Sequence, residues 1–148
     1  MNMKQTNLII ACVLVLAGSA AAQKYTWRQC LDAIREVETG GSPNGGIGAI
    51  GDRGKALGPY QIWKPYHIDS GVKGKHTQCL RDKAYSERVV AGYMSRYARK
   101  AYWRLRQGKG TLADIEKIAR IHNGGPRGYK RKSTLRYWAK VKRAIKRP

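Results

Sequence analysis

The hydrophobic positions of this chain recur mostly at the spacing of amphipathic helices. Thr26 and Gln29 form a capping-box pattern ahead of the first such run, and Gly40-Gly41 follows it. We therefore predict a first helix that begins after Thr26, ends at the double glycine and buries one face. The apolar residues on that face are Trp27, Cys30, Leu31, Ile34 and Val37.

Three further helices are predicted in the second half of the chain. An apolar face continues over residues 85–105, and Thr111 precedes an apolar run that stops before Asn123. Ser133 or Thr134 can cap a last helix. Its inward residues are Leu135, Trp138, Val141 and Ile145.

The glycine content changes abruptly between the first helix and the others. Residues 40–58 hold 8 of the 17 glycines, which favours tight turns around a small β-hairpin. This order of elements predicts an α+β fold that is mostly α. We find no internal repeat and no linker, so residues 23–148 are expected to form a single domain with a basic C-terminal helix.

The first 22 residues have the pattern of a secretory signal peptide. Lys4 precedes an apolar stretch over residues 8–17, and Ala20-Ala21-Ala22 provides small residues for cleavage before Gln23. A membrane anchor is the alternative, but the stretch is shorter than the roughly 20 residues that a span needs. We expect a secreted, extracellular protein.

The chain of 148 residues carries 30 Lys and Arg against 9 Asp and Glu, a formal net charge of +21. Twelve of these cations follow Glu116, the last acidic residue. They are either simply solvated helix faces or a means of attraction to anionic surfaces such as cell walls and membranes. Self-repulsion at this charge favours a monomer. Binding to nucleic acid or glycosaminoglycans would explain the charge but not the motifs below, so no specific nucleic acid is expected.

Two cysteines remain once the signal peptide has been removed. Cys30 and Cys79 form an even pair in an oxidising compartment, so one disulfide is expected, with two buried free thiols as the alternative. The chain has no Cys-x-x-Cys and no cluster of histidines, so no metal site is predicted. Nothing in the sequence calls for a cofactor.

Two of the acidic residues occupy positions that suit catalysis. Glu38 ends the first helix, where the helix dipole disfavours a carboxylate and favours its protonated, acid form. Asp52 lies in the glycine-rich stretch that can fold back over that helix end. A protonated and an ionised carboxyl across one cleft can cleave a glycosidic bond. An ordinary solvated Glu38 and a turn-forming Asp52 are the structural alternatives.

Two segments combine aromatic and polar groups in the way that sugar-binding sites do. Tyr60 and Gln61 follow the flexible Gly58, and His122-Asn123-Gly124 forms a polar turn at a helix end. The second segment could instead be a simple helix stop. Further short motifs lie between and after these segments. In chain order, the motifs are Val37-Glu38-Thr39-Gly40, Gly58-Pro59-Tyr60-Gln61-Ile62, Tyr66-His67-Ile68-Asp69-Ser70-Gly71, Gly92-Tyr93-Met94-Ser95-Arg96-Tyr97, His122-Asn123-Gly124-Gly125-Pro126-Arg127-Gly128 and Ser133-Thr134 with Tyr137-Trp138.

In these motifs and their order the chain resembles the invertebrate-type, destabilase-like lysozymes. The resemblance implies a lysozyme-like fold and hydrolysis of the β-1,4 bond between N-acetylmuramic acid and N-acetylglucosamine in bacterial peptidoglycan, for antibacterial defence or digestion. It places the catalytic pair on Glu38 and Asp52. It places substrate binding on Leu57, Gly58, Pro59, Tyr60, Gln61, Ile62, Tyr93, His122, Asn123 and Gly124.

The chain departs from that family in two respects. Most of the family's cysteines are missing, so a Cys30–Cys79 bridge would be a remnant of its disulfide framework. Lys55 and Leu57 stand where the serines of an isopeptidase activity would lie, so that activity is predicted to be absent. The rival functions are a non-catalytic cationic antimicrobial or wall-binding protein and a lytic transglycosylase.

Overall fold

Six α-helices and a small antiparallel sheet form the part of the chain that the computed structural model describes, residues 22–40 and 42–145. The predicted signal peptide therefore lies outside the described residues except for Ala22. Within the described residues, no helix combines the length and the apolar character needed to cross a membrane. The elements are α1 (Trp27–Thr39), β1 (Ile50–Gly51), β2 (Ala56–Leu57), β3 (Ile62–Trp63), α2 (Lys64–Ser70), α3 (Lys83–Tyr97), α4 (Arg99–Arg106), α5 (Leu112–Gly124) and α6 (Leu135–Ala144).

The first helix forms as its sequence pattern predicts. The Gln29 backbone N–H donates to the Thr26 hydroxyl over 3.2 Å, and the Thr26 N–H donates to Gln29 Oε1 over 2.8 Å. The helix ends at Thr39, and the Gly40 N–H satisfies the carbonyl of Glu36. Its apolar face is buried, and the helix packs against α4, α5 and α6.

The single helix predicted over residues 85–105 is wrong, because the structure divides it into α3 and α4. The Asp82 carboxylate caps the start of α3 by accepting from the Tyr85 N–H over 2.8 Å. Ala98, with φ −136°, separates the two helices. Met94 and Ala101, on either side of this break, both reach the core. Hydrophobic spacing therefore continues across the break and gives no sign of it.

The fifth helix begins as predicted but ends later. The Thr111 hydroxyl accepts from the Asp114 N–H over 3.2 Å, and the Asp114 carboxylate accepts from the Thr111 N–H over 2.9 Å. The helix continues through Asn123 to Gly124, so the predicted stop before Asn123 is wrong. Gly125 takes the positive φ of 77° that ends it.

The last helix begins directly after Thr134, but the Thr134 hydroxyl does not cap it. That hydroxyl donates to the Gly128 carbonyl over 2.8 Å and accepts from Arg120 Nε over 2.9 Å. The side chain is buried, and it ties the turn after α5 to α5 itself. A cap predicted from sequence is here replaced by a tertiary contact.

The glycine-rich stretch forms the predicted hairpin region, with strand order β1-β2-β3. Gly51 pairs with Ala56, and Ala56 pairs with Trp63, so these three positions share one face of the sheet. Gly58, at φ 71°, makes the turn between β2 and β3, and a Cβ there would lie 1.8 Å from the Cys79 carbonyl oxygen. The sheet can pack this closely only because position 58 is glycine.

The second helix, α2, follows β3 directly and packs against α3. This packing depends on Gly92, where a Cβ would lie 2.5 Å from the carbonyl oxygen of Ser70. The close approach brings side chains of α2 and α3 together. The Tyr66 ring stacks on the Tyr93 ring at a centroid distance of 3.7 Å.

The predicted Cys30–Cys79 disulfide is wrong for this structure, in which both cysteines are free. Both side chains are fully buried in the hydrophobic core and pack there as small apolar groups. Burial raises the pKa of both thiols, that of Cys79 to about 11. Because the thiolate is the reactive form, this burial makes both cysteines poor partners for oxidation.

Candidate active site

A cleft of about 680 Å³ lies between the end of α1, the sheet, α2 and the turn that follows α5. Glu38 and Asp52 both line it, so the structure brings the two predicted catalytic carboxylates to one cavity. The two residues belong to different elements: Glu38 lies on the last turn of α1, and Asp52 lies in the 3-10 turn after β1. This is the relation expected if the hairpin folds back over the helix end.

One oxygen of the Glu38 side chain accepts a hydrogen bond and lies close to a histidine ring. The Tyr137 hydroxyl on α6 donates to Glu38 Oε1 over 2.7 Å, and His122 Nε2 on α5 lies 3.5 Å from the same atom. No described residue donates a hydrogen bond to Glu38 Oε2. The side chain is 19% exposed. One oxygen is thus fixed by the protein, and the other is available to a ligand.

His122 is anchored at both of its ring nitrogens. Nε2 lies 3.1 Å from the Tyr60 carbonyl oxygen, and Nδ1 lies 3.1 Å from the Tyr66 hydroxyl. A carbonyl oxygen can only accept, so Nε2 carries a hydrogen. In the neutral ring Nδ1 then accepts from Tyr66, and the Nε2–H tautomer satisfies both contacts. The Nε2 hydrogen is thus used by the Tyr60 carbonyl, and the same ring nitrogen lies 3.5 Å from Glu38 Oε1.

The two tyrosines of this network remain protonated donors. Burial raises the pKa of Tyr137 well above its ordinary value, and the negative charge of Glu38 raises it further. Burial likewise raises the pKa of Tyr66, with smaller contributions from Tyr93 and Glu38. Neither hydroxyl can therefore take up the proton that a catalytic step at Glu38 would move.

Asp52 is set in the cleft differently from Glu38. It is exposed, and its backbone has a φ of 48°, in the left-handed region that Asp tolerates better than most residues. Among the described residues none forms a hydrogen bond or an ion pair with its carboxylate. The two carboxyl groups thus have unlike surroundings, one partly buried and hydrogen-bonded, the other solvated. In paired catalytic carboxyls, such a difference in surroundings lets one group act as the acid and the other as the nucleophile or charge stabiliser.

The predicted substrate-binding residues fall into two groups. One group lines the cleft and comprises Gln61, Tyr93, His122, Asn123 and Gly124. The other group lies buried behind the cleft wall and comprises Leu57, Gly58, Pro59, Tyr60 and Ile62. In the second group the Tyr60 hydroxyl donates to Glu87 over 2.9 Å, and the Tyr60 carbonyl orients His122. These residues shape the wall, and contact between their side chains and a substrate stays a prediction.

Eight residues that line the cleft were not among the predicted site residues, and four of these carry aromatic or charged side chains, namely Trp63, Tyr66, Asp69 and Arg131. Trp63 is 41% exposed and projects from the sheet face that it shares with Ala56. Asp69 accepts from the Tyr97 hydroxyl over 3.1 Å. The three-residue spacing of Tyr66 and Asp69 on α2 is the signal that could have placed both on one helix face.

In the described parts of the chain, no three side chains of His, Cys, Asp or Glu lie close enough together to hold a metal ion. The polar groups of the cleft instead include Glu38 and Asp52, two carboxyls of unlike surroundings, together with Asp69, the amide of Asn123 and the exposed Trp63 indole. A pair of carboxyls that faces one cleft from a helix end and a hairpin is the arrangement of a glycoside hydrolase.

Comparison with known proteins identifies the family within this class. Residues 27–144 match the destabilase family. The chain is 40% identical over 116 residues to lysozyme 1 of Crassostrea virginica, covering 77% of this chain and 57% of that protein. It is 33% identical over 144 residues to invertebrate-type lysozyme 2 of Caenorhabditis elegans, covering 90% of this chain and 95% of that one.

A solved structure agrees with these sequence matches. The crystal structure of Tapes japonica lysozyme aligns with a TM-score of 0.60 at 33% identity, over 81% of this chain and 91% of that one. The chain belongs to the destabilase family, the invertebrate-type lysozymes, and is a glycoside hydrolase of the lysozyme class. The predicted family, fold class and enzyme class are thereby confirmed.

Proposed function

We propose that the protein is a secreted muramidase that hydrolyses the β-1,4 bond between N-acetylmuramic acid and N-acetylglucosamine in bacterial peptidoglycan. The observation that carries the proposal is the placement of Glu38, whose Oε1 is held by Tyr137 and approached by His122 while Asp52 lines the same cleft. Such a site supplies one carboxyl group of fixed orientation and a second, solvent-exposed carboxyl group in one cavity.

In the first step Glu38 acts as the general acid. Its proton, carried on Oε2, moves to the glycosidic oxygen as the bond from that oxygen to the anomeric carbon breaks. The Asp52 carboxylate bonds to the anomeric carbon, or stabilises its positive charge, from the other side of the sugar. The leaving saccharide departs with the proton as a free hydroxyl.

In the second step the roles reverse. A water molecule enters where the leaving saccharide was, and the Glu38 carboxylate takes one of its protons. The water oxygen bonds to the anomeric carbon, and the bond to Asp52 breaks. Both carboxyl groups return to their starting states, and the product has a hydrated reducing end.

The cleft wall offers groups that can hold the saccharide during both steps. Amide and hydroxyl groups of the sugars can bond to Gln61 and Asn123, and the exposed Trp63 indole offers an apolar face. Gly124 and Gly125 line the cleft beside Asn123, and the missing side chain of Gly124 leaves room for Thr134. These contacts account for binding, whereas the carboxyls account for the chemistry.

The proposal includes secretion and a role against bacteria, in defence or in digestion. The supporting observations are the signal-peptide pattern of residues 1–22 and the net charge of +21, which draws the protein to anionic bacterial surfaces. Because exposed charges are screened beyond about 8–10 Å at physiological salt, binding to whole cells should weaken as salt rises.

Product analysis on purified peptidoglycan tests the proposed reaction. Wild type should release reducing ends that mass spectrometry finds hydrated, and Glu38→Gln and Asp52→Asn should each abolish release. Glu36→Gln is the matched control, because it makes the same change at an exposed position on the same helix, outside the cleft. It should retain full activity.

Two other results would contradict the proposal. Anhydro ends from wild type, with activity retained in Asp52→Asn, would identify a lytic transglycosylase. Killing of bacteria by wild type and Glu38→Gln alike, without release of reducing ends, would identify a non-catalytic cationic protein on a lysozyme scaffold.

A further inference from the structure

The outward side of α4 combines an exposed indole with a ring of positive charge. Trp103 is 49% exposed, although it lies on a helix whose Ala101, Tyr102 and Leu105 are buried. Arg99 and Lys100 lie four and three residues before Trp103, and Arg106 lies three residues after it. At these spacings all three side chains neighbour the indole on the helix surface. We call Arg99, Lys100, Trp103 and Arg106 the α4 face.

The cations of the α4 face have no acidic partners in the described part of the chain. The nearby Arg104 is paired with Asp114, whose side chain is 3% exposed, so this carboxylate is not available to other cations. Arg99, Lys100 and Arg106 form no ion pair with any described carboxylate. Their positive charge is therefore uncompensated and fully available to an external anion.

The α4 face is separate from the proposed site of hydrolysis. No residue of α4 lines the cleft that contains Glu38 and Asp52. The inner side of α4 packs against α3, α5 and α1 and cannot open without loss of the core. Only the outer side, with Trp103 at its centre, can bind another surface.

We propose that the α4 face docks the protein on anionic phospholipid bilayers. Tryptophan is favoured at the membrane–water interface, where its ring is partly apolar and its N–H is hydrated. Each cation close to an anionic bilayer strengthens binding about fivefold. The combination favours lipid over a soluble polyanion, because a polyanion in water would pair with the cations but leave the indole exposed.

The geometry limits how deeply the protein can enter the bilayer. Trp103 is the only large apolar side chain of α4 that can enter the lipid, because the other apolar residues of this helix, Ala101, Tyr102 and Leu105, are buried in the core. The docking is therefore shallow, at the level of the headgroups, and depends on both the indole and the charges. It is independent of peptidoglycan and of the catalytic carboxyls.

Vesicle binding by the full protein tests the proposal. Affinity is measured for two kinds of vesicle, one of phosphatidylcholine alone and one of phosphatidylcholine mixed with phosphatidylglycerol. The buffer contains about 0.1 M salt, which screens long-range attraction between the protein's net charge and the vesicle. Binding should require phosphatidylglycerol. Trp103→Ala should weaken it about tenfold, and Arg99→Gln with Lys100→Gln about 25-fold. Glu38→Gln should bind like wild type.

Matched controls separate the α4 face from the overall charge. Arg136→Gln with Lys140→Gln removes the same charge from exposed positions of α6, and Leu135→Ala removes a side chain that is 46% exposed there. Both should bind within twofold of wild type. Circular dichroism must show that every variant is folded.

Three results would overturn the proposal. The first is an equal loss of affinity in the α4 and α6 double variants, which would mean that net charge alone binds the vesicles. The second is unchanged binding by Trp103→Ala. The third is binding of soluble teichoic acid that depends on the α4 face, with no binding to vesicles. None of these measurements involves peptidoglycan, so failure here leaves the proposed hydrolysis untouched.

Discussion

The Tyr137 hydroxyl on the last helix donates a 2.7 Å hydrogen bond to Glu38 Oε1 on the first helix. The two residues are 99 positions apart in the chain. Because α1 packs against α6 along their buried faces, the contact depends on the whole helical core. The position of the proposed catalytic acid is thus set by the element furthest from it in sequence.

This contact predicts that Tyr137→Phe lowers kcat with little change in KM. The ring stays in place, but Glu38 loses its closest donor and can rotate, which misdirects the proton on Oε2. We expect a loss of about tenfold in kcat, or roughly 1.4 kcal/mol in the barrier. Steady-state kinetics on soluble peptidoglycan fragments would measure it.

Tyr129→Phe is the matched control for that substitution. The Tyr129 side chain is 40% exposed, and its hydroxyl makes no hydrogen bond with any described residue. Its kinetics should equal those of wild type. A rise in KM at constant kcat in Tyr137→Phe would contradict a positioning role, because it would indicate lost substrate binding.

Much of the first helix and of the site's location is predictable from local sequence. The Thr26 cap, the helix end at Gly40 and the placement of Glu38 in the last turn depend on neighbouring residues, and the structure has them as predicted. The glycine-rich stretch predicts turns because few other residues adopt a positive φ. Such features need no knowledge of what packs against them.

Features that depend on distant contacts are not predictable in this way. The strand register sets which side chains face the cleft: Ala56 and Trp63 form one cross-strand pair, and Leu57 and Ile62 form the next. Successive residues of a strand point to opposite faces, so Leu57 and Ile62 lie in the core. Strands of two residues carry too little alternation to reveal this from sequence.

The same register makes Trp63 a predicted sugar-binding residue. Its indole is 41% exposed in the cleft, and Lys55 Nζ lies 5.6 Å from the ring centroid. Covering about 60 Å² of the indole with a sugar is worth about 1.5 kcal/mol. We therefore expect Trp63→Ala to raise KM about tenfold on soluble peptidoglycan fragments, with a smaller effect on kcat.

Trp103→Ala serves as the control for Trp63→Ala, because it removes an indole of similar exposure that lies outside the cleft. With soluble fragments and no membrane present, its KM should equal that of wild type. An unchanged KM in Trp63→Ala would show that the saccharide does not stack on this residue.

The two buried cysteines predict a distinctive pattern of thiol reactivity. Because burial raises the pKa of Cys30 and Cys79, neither should react with a disulfide reagent in the native protein near pH 8. Unfolding in denaturant should expose two reactive thiols. Ala139→Cys places a thiol at an exposed position of α6 and should react at once in the folded state. Finding no free thiol after unfolding without reductant would instead show that the two cysteines are bonded.

The stability of the fold should depend on the protonation of His67. This residue is buried, with Nε2 2.6 Å from the Tyr85 hydroxyl and its ring centroid 5.9 Å from that of His76. Burial, and then the nearby His76, lower the pKa of His67 in the folded state. The unfolded chain, in which a histidine has a pKa of about 6.5, therefore binds a proton more readily than the folded one.

The sign of the pH effect follows from this difference. The contribution of His67 to stability is present above the unfolded pKa of about 6.5 and is lost as pH falls through the folded pKa, because protons favour the unfolded state. Thermal unfolding between pH 7.5 and pH 5 should show a falling Tm for wild type. His67→Gln, which has no titrating group at this position, should show a flatter dependence. Equal slopes for the two proteins would mean that groups other than His67 control the acid sensitivity of the fold.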